Sequence, residues 1–293
     1  MTEDLTRFLA AYDAVLARWP VPVDRMDLPS AYGTTRVTAC GPEDGEPLVL
    51  LHGGGTTSTV WYANVADLAR TRRVYAIDRI GEAGRSLRGD RPMRSVDDLH
   101  DWLDGVLDGL GPDLGSADLC GHSYGGWIAL TYALRAPQRV RSLVLLDPTQ
   151  CFAGYRPGYL LRALPMLLRP TARRARAFLA WETRDAAADP AWRELYGLAA
   201  EFPNAKTVVG KRPRPHQLRG ATVPALVLLA ADSRAHHSRR VEAAARRHLP
   251  HAETAVLPGL SHHGMPFQHS AALNRLMLEF LNSREARDFR EKP

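Results

Sequence analysis

Apolar residues recur every three to four positions near the start of the chain, at Leu5, Phe8, Leu9, Tyr12, Val15 and Leu16. That spacing predicts an amphipathic helix over residues 2–18. Pro20, Pro22 and Pro29 end the period, and the pattern then changes in kind. Residues 31–40 read as an edge strand, closed by the turn Gly41-Pro42-Glu43-Asp44-Gly45. Leu48, Val49, Leu50 and Leu51 form an unbroken apolar run, residues 74–77 form another, and residues 117–120 form a strand-like run interrupted only by Asp118. Such runs suit strands of a parallel sheet buried on both faces. Helical patterns over 96–110 and 127–134 fall between them, and residues 140–147 form a further strand. Strand and helix alternate up to residue 147, which predicts an α/β fold with a mostly parallel sheet flanked by helices.

Between residues 148 and 222 the alternation stops. Aromatic residues (Phe152, Tyr155, Tyr159, Phe178, Trp181, Trp192), prolines and short helical patterns replace it. We read 148–222 as an inserted helical cap, with residues 1–147 and 223–293 forming the core. An insertion at the C-terminal end of a strand sits over the crevice where open α/β sheets bind ligands. The alternation resumes with a strand at 224–230, a helix at 238–249, a strand at 252–257 and a closing helix at 271–281. Residues 283–293 read as a charged, frayed tail.

The chemistry concentrates at Gly121-His122-Ser123-Tyr124-Gly125, between a strand pattern and a helix pattern. A serine hydroxyl needs exposure, a nearby base and donors for the oxyanion it creates. A sharp strand-to-helix turn lifts Ser123 above the sheet edge and aims the Tyr124 N–H at the reacting oxygen. Gly121 and Gly125 are required where larger side chains would collide. The loop His52-Gly53-Gly54-Gly55, after the first apolar strand, lets backbone approach a substrate. Its Gly54 N–H, with that of Tyr124, is the expected oxyanion hole.

Composition adds limits. The chain has 293 residues and is 45% hydrophobic, enough for one large domain with an insertion. Its formal charge is +6, and of 38 basic residues only Lys206, Lys211 and Lys292 are lysine. The arginines are dispersed and no nucleic-acid motif accompanies them, so no nucleic-acid partner is expected. The cluster Arg169, Arg173, Arg174 and Arg176 reads as the solvated face of a helix. Cys40, Cys120 and Cys151 are too few and too scattered for a disulfide framework, and with no leader-like N-terminus they point to a cytoplasmic protein. No apolar run reaches the roughly 18 residues of a membrane span, so no membrane partner is expected. His236, His237, His262 and His263 lack the cysteine or carboxylate spacing of a metal site, and neither metal nor organic cofactor is expected. The expected partner is a small-molecule substrate, and oligomeric state is left open.

The order of these motifs resembles the α/β-hydrolase fold over residues 30–282. The matching segments are Leu51-His52-Gly53-Gly54, Asp78 with the loop 81–86, the turn around Ser123, and Leu257-Pro258-Gly259-Leu260-Ser261-His262. Within that fold the chain is most similar to small cytosolic carboxylesterase-like serine hydrolases with a helical cap. The resemblance implies Ser123 as nucleophile and His262 as base by the pattern Pro-Gly-x-small-His. Counting back from the closing helix favours His263 instead. It also implies a carboxylate partner. The commonest family pattern, counted from Pro224, lands on Ser233, with Asp232 one residue short. Asp147, at the end of the preceding strand, matches the position other members use, and is favoured over Asp232. The implied activity is cleavage of an ester-type bond in a small apolar substrate through an acyl-enzyme. A thioesterase, a lactonase, a secondary-metabolite tailoring hydrolase and a non-catalytic receptor that keeps the pocket are the alternatives.

Overall fold

The computed structural model describes residues 2–111, 114–184 and 188–283. Its elements run α1 (Glu3–Leu16), β1 (Asp24–Ser30), β2 (Gly33–Cys40), β3 (Glu46–Leu51), α2 (Val65–Leu68), β4 (Arg72–Ile77), β5 (Leu87–Arg88), α3 (Val96–Gly109), β6 (Ala117–His122), α4 (Tyr124–Arg135) and β7 (Val140–Leu146). Then follow α5 (Pro157–Leu168), α6 (Ala172–Thr183), α7 (Pro190–Ala199), α8 (Pro215–Arg219), β8 (Ala225–Ala230), α9 (Ser238–His248), β9 (Ala252–Leu257) and α10 (Ser270–Asn282).

The apolar runs become the inner strands of one sheet, ordered β1-β2-β4-β3-β6-β7-β8-β9, with the short β5 paired to β2. From β4 to β9 every pairing is parallel, while β1 and β2 pair antiparallel. This is the α/β-hydrolase architecture. Both faces are buried, so successive residues on a strand serve different cores. Leu119, Leu143 and Leu145 join one core with Trp102 and Trp127. Cys120, Val144 and Leu146 join the other with Tyr12, Trp61 and Met277. Below the sheet edge the buried Arg72 bonds Asp118 at 2.7 Å and the Leu281 carbonyl at 2.5 Å, tying α10 to β4 and β6.

One local expectation changes. The strand over 31–40 is not the edge. β1 covers it in register from Asp24–Ala39 to Ser30–Gly33, and Pro29 lies inside β1. An edge strand leaves part of its backbone unpaired, which is where a sheet tolerates proline. Thr57 precedes a 3₁₀ turn without a side-chain cap, and Asp78 instead accepts the Ser58 N–H at 2.8 Å. The expected tail lies, from residue 284, outside the described residues.

The chain leaves β3 toward β4 on one side and later places β6 on the other. The loops after β3 and β6 therefore diverge, and such a switch point opens the crevice used by ligands. Between β7 and β8 the described residues form four helices, α5 to α8, and no strand.

Candidate active site

β6 ends in a turn that only small neighbours permit. A Cβ on Gly121 would lie 2.3 Å from the Gly125 carbonyl oxygen, and one on Gly125 would lie 2.2 Å from that of Leu51. Ser123 has φ 54° and ψ −114°. Its N–H donates to the Leu146 carbonyl at 2.9 Å, and its own carbonyl accepts from Trp127 at 3.2 Å and Thr149 at 3.3 Å. α4 begins one residue later, so the N–H groups of its first turn have no acceptor within the helix.

The loop after β3 lies against this turn. A Cβ on Gly53 would stand 3.3 Å from Ser123 Cβ, whereas Gly54 and Gly55 are exposed with open space around them. His52 orders the loop. Burial and the Arg79 charge hold its imidazole far below its ordinary pKa, so it is neutral. Its Nδ1–H donates to the Gly53 carbonyl at 2.8 Å, and its Nε2 accepts the Arg79 N–H at 3.3 Å.

Asp147 follows the last residue of β7 and is fully buried. Its Oδ2 accepts from His262 Nδ1 at 2.6 Å and from the Ser233 hydroxyl at 2.7 Å. Its Oδ1 accepts from His236 Nε2 at 2.9 Å and from the Ala230 N–H at 3.0 Å. Burial alone would raise its pKa, but the His236 and His262 imidazoles hold it well below the usual carboxylate range. His262 thus has its proton fixed on Nδ1, and Nε2 stands 2.9 Å from Ser123 Oγ. Burial lowers the His262 pKa, and Asp147 opposes that shift.

His263 is turned elsewhere. Its Nδ1–H donates to Glu182 at 3.3 Å and its Nε2 accepts from the Tyr196 hydroxyl at 3.3 Å. Asp232 is 40% exposed at its side chain and lies 3.5 Å from Arg184. Of the expected site residues, then, Ser123, His262 and Asp147 are drawn into one hydrogen-bonded line, and Asp232 and His263 stand outside it. Both His262 ring nitrogens and both of His263 are committed to protein partners.

Four contributors escaped the sequence reading. Ser233, where the family count landed, holds a hydroxyl on Asp147 rather than the acid itself. His236 occupies the second oxygen of Asp147; pairing it with His237 obscured that role. His122, kept neutral by burial and by His262 with a pKa of about 3, donates from Nε2 to the His262 carbonyl at 2.8 Å. Glu182, buried on α6, accepts the backbone N–H groups of His262 at 3.0 Å and His263 at 2.9 Å. No local pattern distinguishes Glu182 from a surface glutamate, because its partners lie about 80 residues away along the chain.

Helices α5 and α6 roof the site. The Tyr159 ring stands edge-on to His262 at 6.2 Å, and that of Phe178 to His263 at 5.6 Å. On the Tyr124 side a cavity of about 740 Å³ is walled by Arg79, Ile80, Leu99 and Val208. The Arg79 guanidinium stacks 4.6 Å over the Tyr124 ring.

Comparison with known proteins agrees with this architecture. A model described as "Alpha/beta hydrolase family" matches residues 48–276. Carboxylesterase YbfK of Bacillus subtilis is 35% identical over 179 residues, spanning 61% of this chain and 58% of that protein. The uncharacterized carboxylesterase nap of the same organism is 27% identical over 295 residues, covering 97% of this chain and 95% of that one. The crystal structure of carboxylesterase CesB (YbfK) superposes with a TM-score of 0.89 at 28% identity, over 96% of this chain and 99% of the other.

Proposed function

The chain belongs to the alpha/beta hydrolase family, and from that premise we propose that it is a carboxylesterase-type serine hydrolase acting on small-molecule esters. The observation that carries the proposal is the unbroken line from Ser123 Oγ through His262 to Asp147, at 2.9 and 2.6 Å. His262 takes the Ser123 proton as the oxygen attacks the ester carbonyl. The N–H groups of Gly54 and Tyr124 receive the oxyanion, each contributing about 3 kcal/mol to the transition state. His262, now protonated and stabilised by Asp147, gives its proton to the leaving alcohol. A water deprotonated by the same histidine then releases the acid. Residues 148–222 act as a cap whose aromatic lining favours an apolar acyl or aryl group. Cys40, Cys120 and Cys151 are buried and unpaired, which supports a reducing compartment.

The relatives named above as carboxylesterases favour an ester over a thioester or lactone. A fluorophosphonate probe combined with p-nitrophenyl esters of increasing chain length tests the reading. Wild-type protein is expected to label and turn over, and Ser123→Ala to do neither while keeping its fold. Well-folded wild type that neither labels nor hydrolyses any ester would reject the enzyme and favour a binding protein that retains the pocket.

A further inference from the structure

The feature left without a role is the outer face of α5. Of its twelve residues only Ala163 is buried. Leu160, Leu161, Leu164, Leu167 and Leu168 are 46, 73, 45, 64 and 71% exposed. At about 100° per residue, all five fall within an arc of roughly 120°. The inward face of the same helix is apolar as well. Tyr159 packs at 5.3 Å from Phe178, and Met166 packs on the core that holds Leu195. A helix apolar on both faces is not explained by its own fold, and a contiguous exposed apolar patch marks an interaction surface.

Charge identifies the occupant. Residues 148–181 contain Arg156, Arg162, Arg169, Arg173, Arg174 and Arg176, and no aspartate, glutamate or lysine. Arg156, Arg162, Arg169 and Arg173 are exposed around the helix. Arg174 donates to the Pro165 and Arg169 carbonyls, and Arg176 pairs with Glu194. Among the described residues, Asp232 pairs with Arg184, Asp189 pairs with Arg18, and Glu201 accepts the Ala172 N–H. A second copy would present the same arginine-rich stretch without carboxylates, and so would offer these arginines no opposite charge. An anionic lipid surface offers apolar depth for the leucines and phosphates for the arginines.

We propose that α5 is an in-plane docking helix, which lays its leucine face on an anionic bilayer with its arginines at the phosphates. This departs from the expectation of no membrane partner. A span needs a run of about 20 apolar residues, whereas docking in the plane needs only a face. No helix among the described residues is long and apolar enough to cross a membrane. Because Tyr159 of the same helix stands over His262, docking sets the roof of the site at the lipid boundary.

The test is co-sedimentation of the full-length protein with extruded phosphatidylcholine vesicles, with and without phosphatidylglycerol. Wild type is expected to partition onto the phosphatidylglycerol vesicles, and to be released as salt rises. Leu161→Ser with Leu168→Ser should weaken partitioning by at least roughly 10-fold. Arg162→Gln with Arg169→Gln should weaken it by roughly 30-fold and abolish the lipid preference. Both pairs lie outside the proposed catalytic machinery, so turnover of a soluble ester should stay at the wild-type level and report an intact fold. Sedimentation itself needs no turnover, so it is independent of the catalytic reading. Absence of wild-type partitioning, or unchanged partitioning of the leucine variant, would overturn the proposal. So would a wild-type dimer that the leucine substitutions convert to monomer without any vesicle binding, which would assign the face to a second copy.

Discussion

Replacing Glu182 by glutamine preserves the shape of the side chain and removes its charge. Glu182 is fully buried, and its two oxygens accept four N–H groups: the His262 and Arg234 amides on Oε1, and the His263 amide and ring Nδ1–H on Oε2. Glutamine offers one oxygen, so its amide NH2 must face at least one of those donors. Losing one charge-assisted bond and stranding its donor costs about 2–4 kcal/mol. In a chain of this size that lowers Tm by about 4–10 °C. The carboxylate pKa is depressed: burial would raise it, but the His263 bond and charge bring it to about 2. Its stabilisation is therefore full above the unfolded carboxylate pKa near ~4.3 and fades as pH falls toward about 2, so the gap between wild type and variant should narrow in acid. The kinetic consequence follows from position. The amides that Glu182 holds belong to the loop carrying His262, and a displacement near 1 Å at a reacting group costs about 10²-fold. We expect kcat to fall about 10- to 100-fold with KM little changed. The acid limb of kcat/KM reports protonation of His262, already below the ordinary histidine value because the group is buried. The groups facing His262 are Asp147, Glu182, His122, His236, His263 and Tyr159. Removing one of the two carboxylates makes imidazolium harder to form, so the midpoint should move to lower pH. Steady-state kinetics across the titration range of imidazole measures both effects. Tyr196→Phe, which removes a hydroxyl but no charge, should leave the midpoint in place. A Glu182→Gln enzyme with wild-type kcat and an unmoved midpoint would refute the reasoning.

Three further substitutions test the rest of the site. Asp147→Asn should cost about 10³–10⁴ in kcat, because the wrong His262 tautomer is then held, while Asp232→Asn should cost less than about 2-fold; equal mild losses under identical circular dichroism would dissolve the proposed line of three. Gly125→Ala places a Cβ 2.2 Å from the Leu51 carbonyl, which is backbone and cannot swing aside, so the variant should lose about 1–3 kcal/mol in denaturant melts and most of its activity; a stable, active variant would contradict the packing described for the turn.

What could be read in advance follows the range of each interaction. The inner strands announced themselves because burial on both faces writes continuous apolar runs such as Leu48 to Leu51. The turn around Ser123 was legible because Gly121 is demanded by a contact only four residues away, although the clash that demands Gly125 is with Leu51 on β3. β1 was hidden: Pro20, Pro22 and Pro29 look like breakers unless the strand is known to lie at an edge. Position at the strand end favoured Asp147 over Asp232, but the role of Ser233 was hidden, since Asp147 and Ser233 meet only when β7 and β8 pair. Glu182 was invisible for the same reason, as its histidine partners come from a loop beyond β9. The leucines of α5 carried a helical period that pointed toward a core, and only solvent exposure showed that a second apolar face remains.

The backbone at Ser123 has a consequence beyond its chemistry. With φ 54° and ψ −114°, a residue bearing a Cβ sits outside the commonly populated regions, at a cost of about 1–3 kcal/mol. The hydrogen bonds to Leu146, Trp127 and Thr149 keep it there. Glycine would occupy the same position with less strain, so activity and thermal robustness pull in opposite directions at this single residue. Selection for heat resistance alone, without selection for turnover, would be expected to replace Ser123 before it touched the surrounding core.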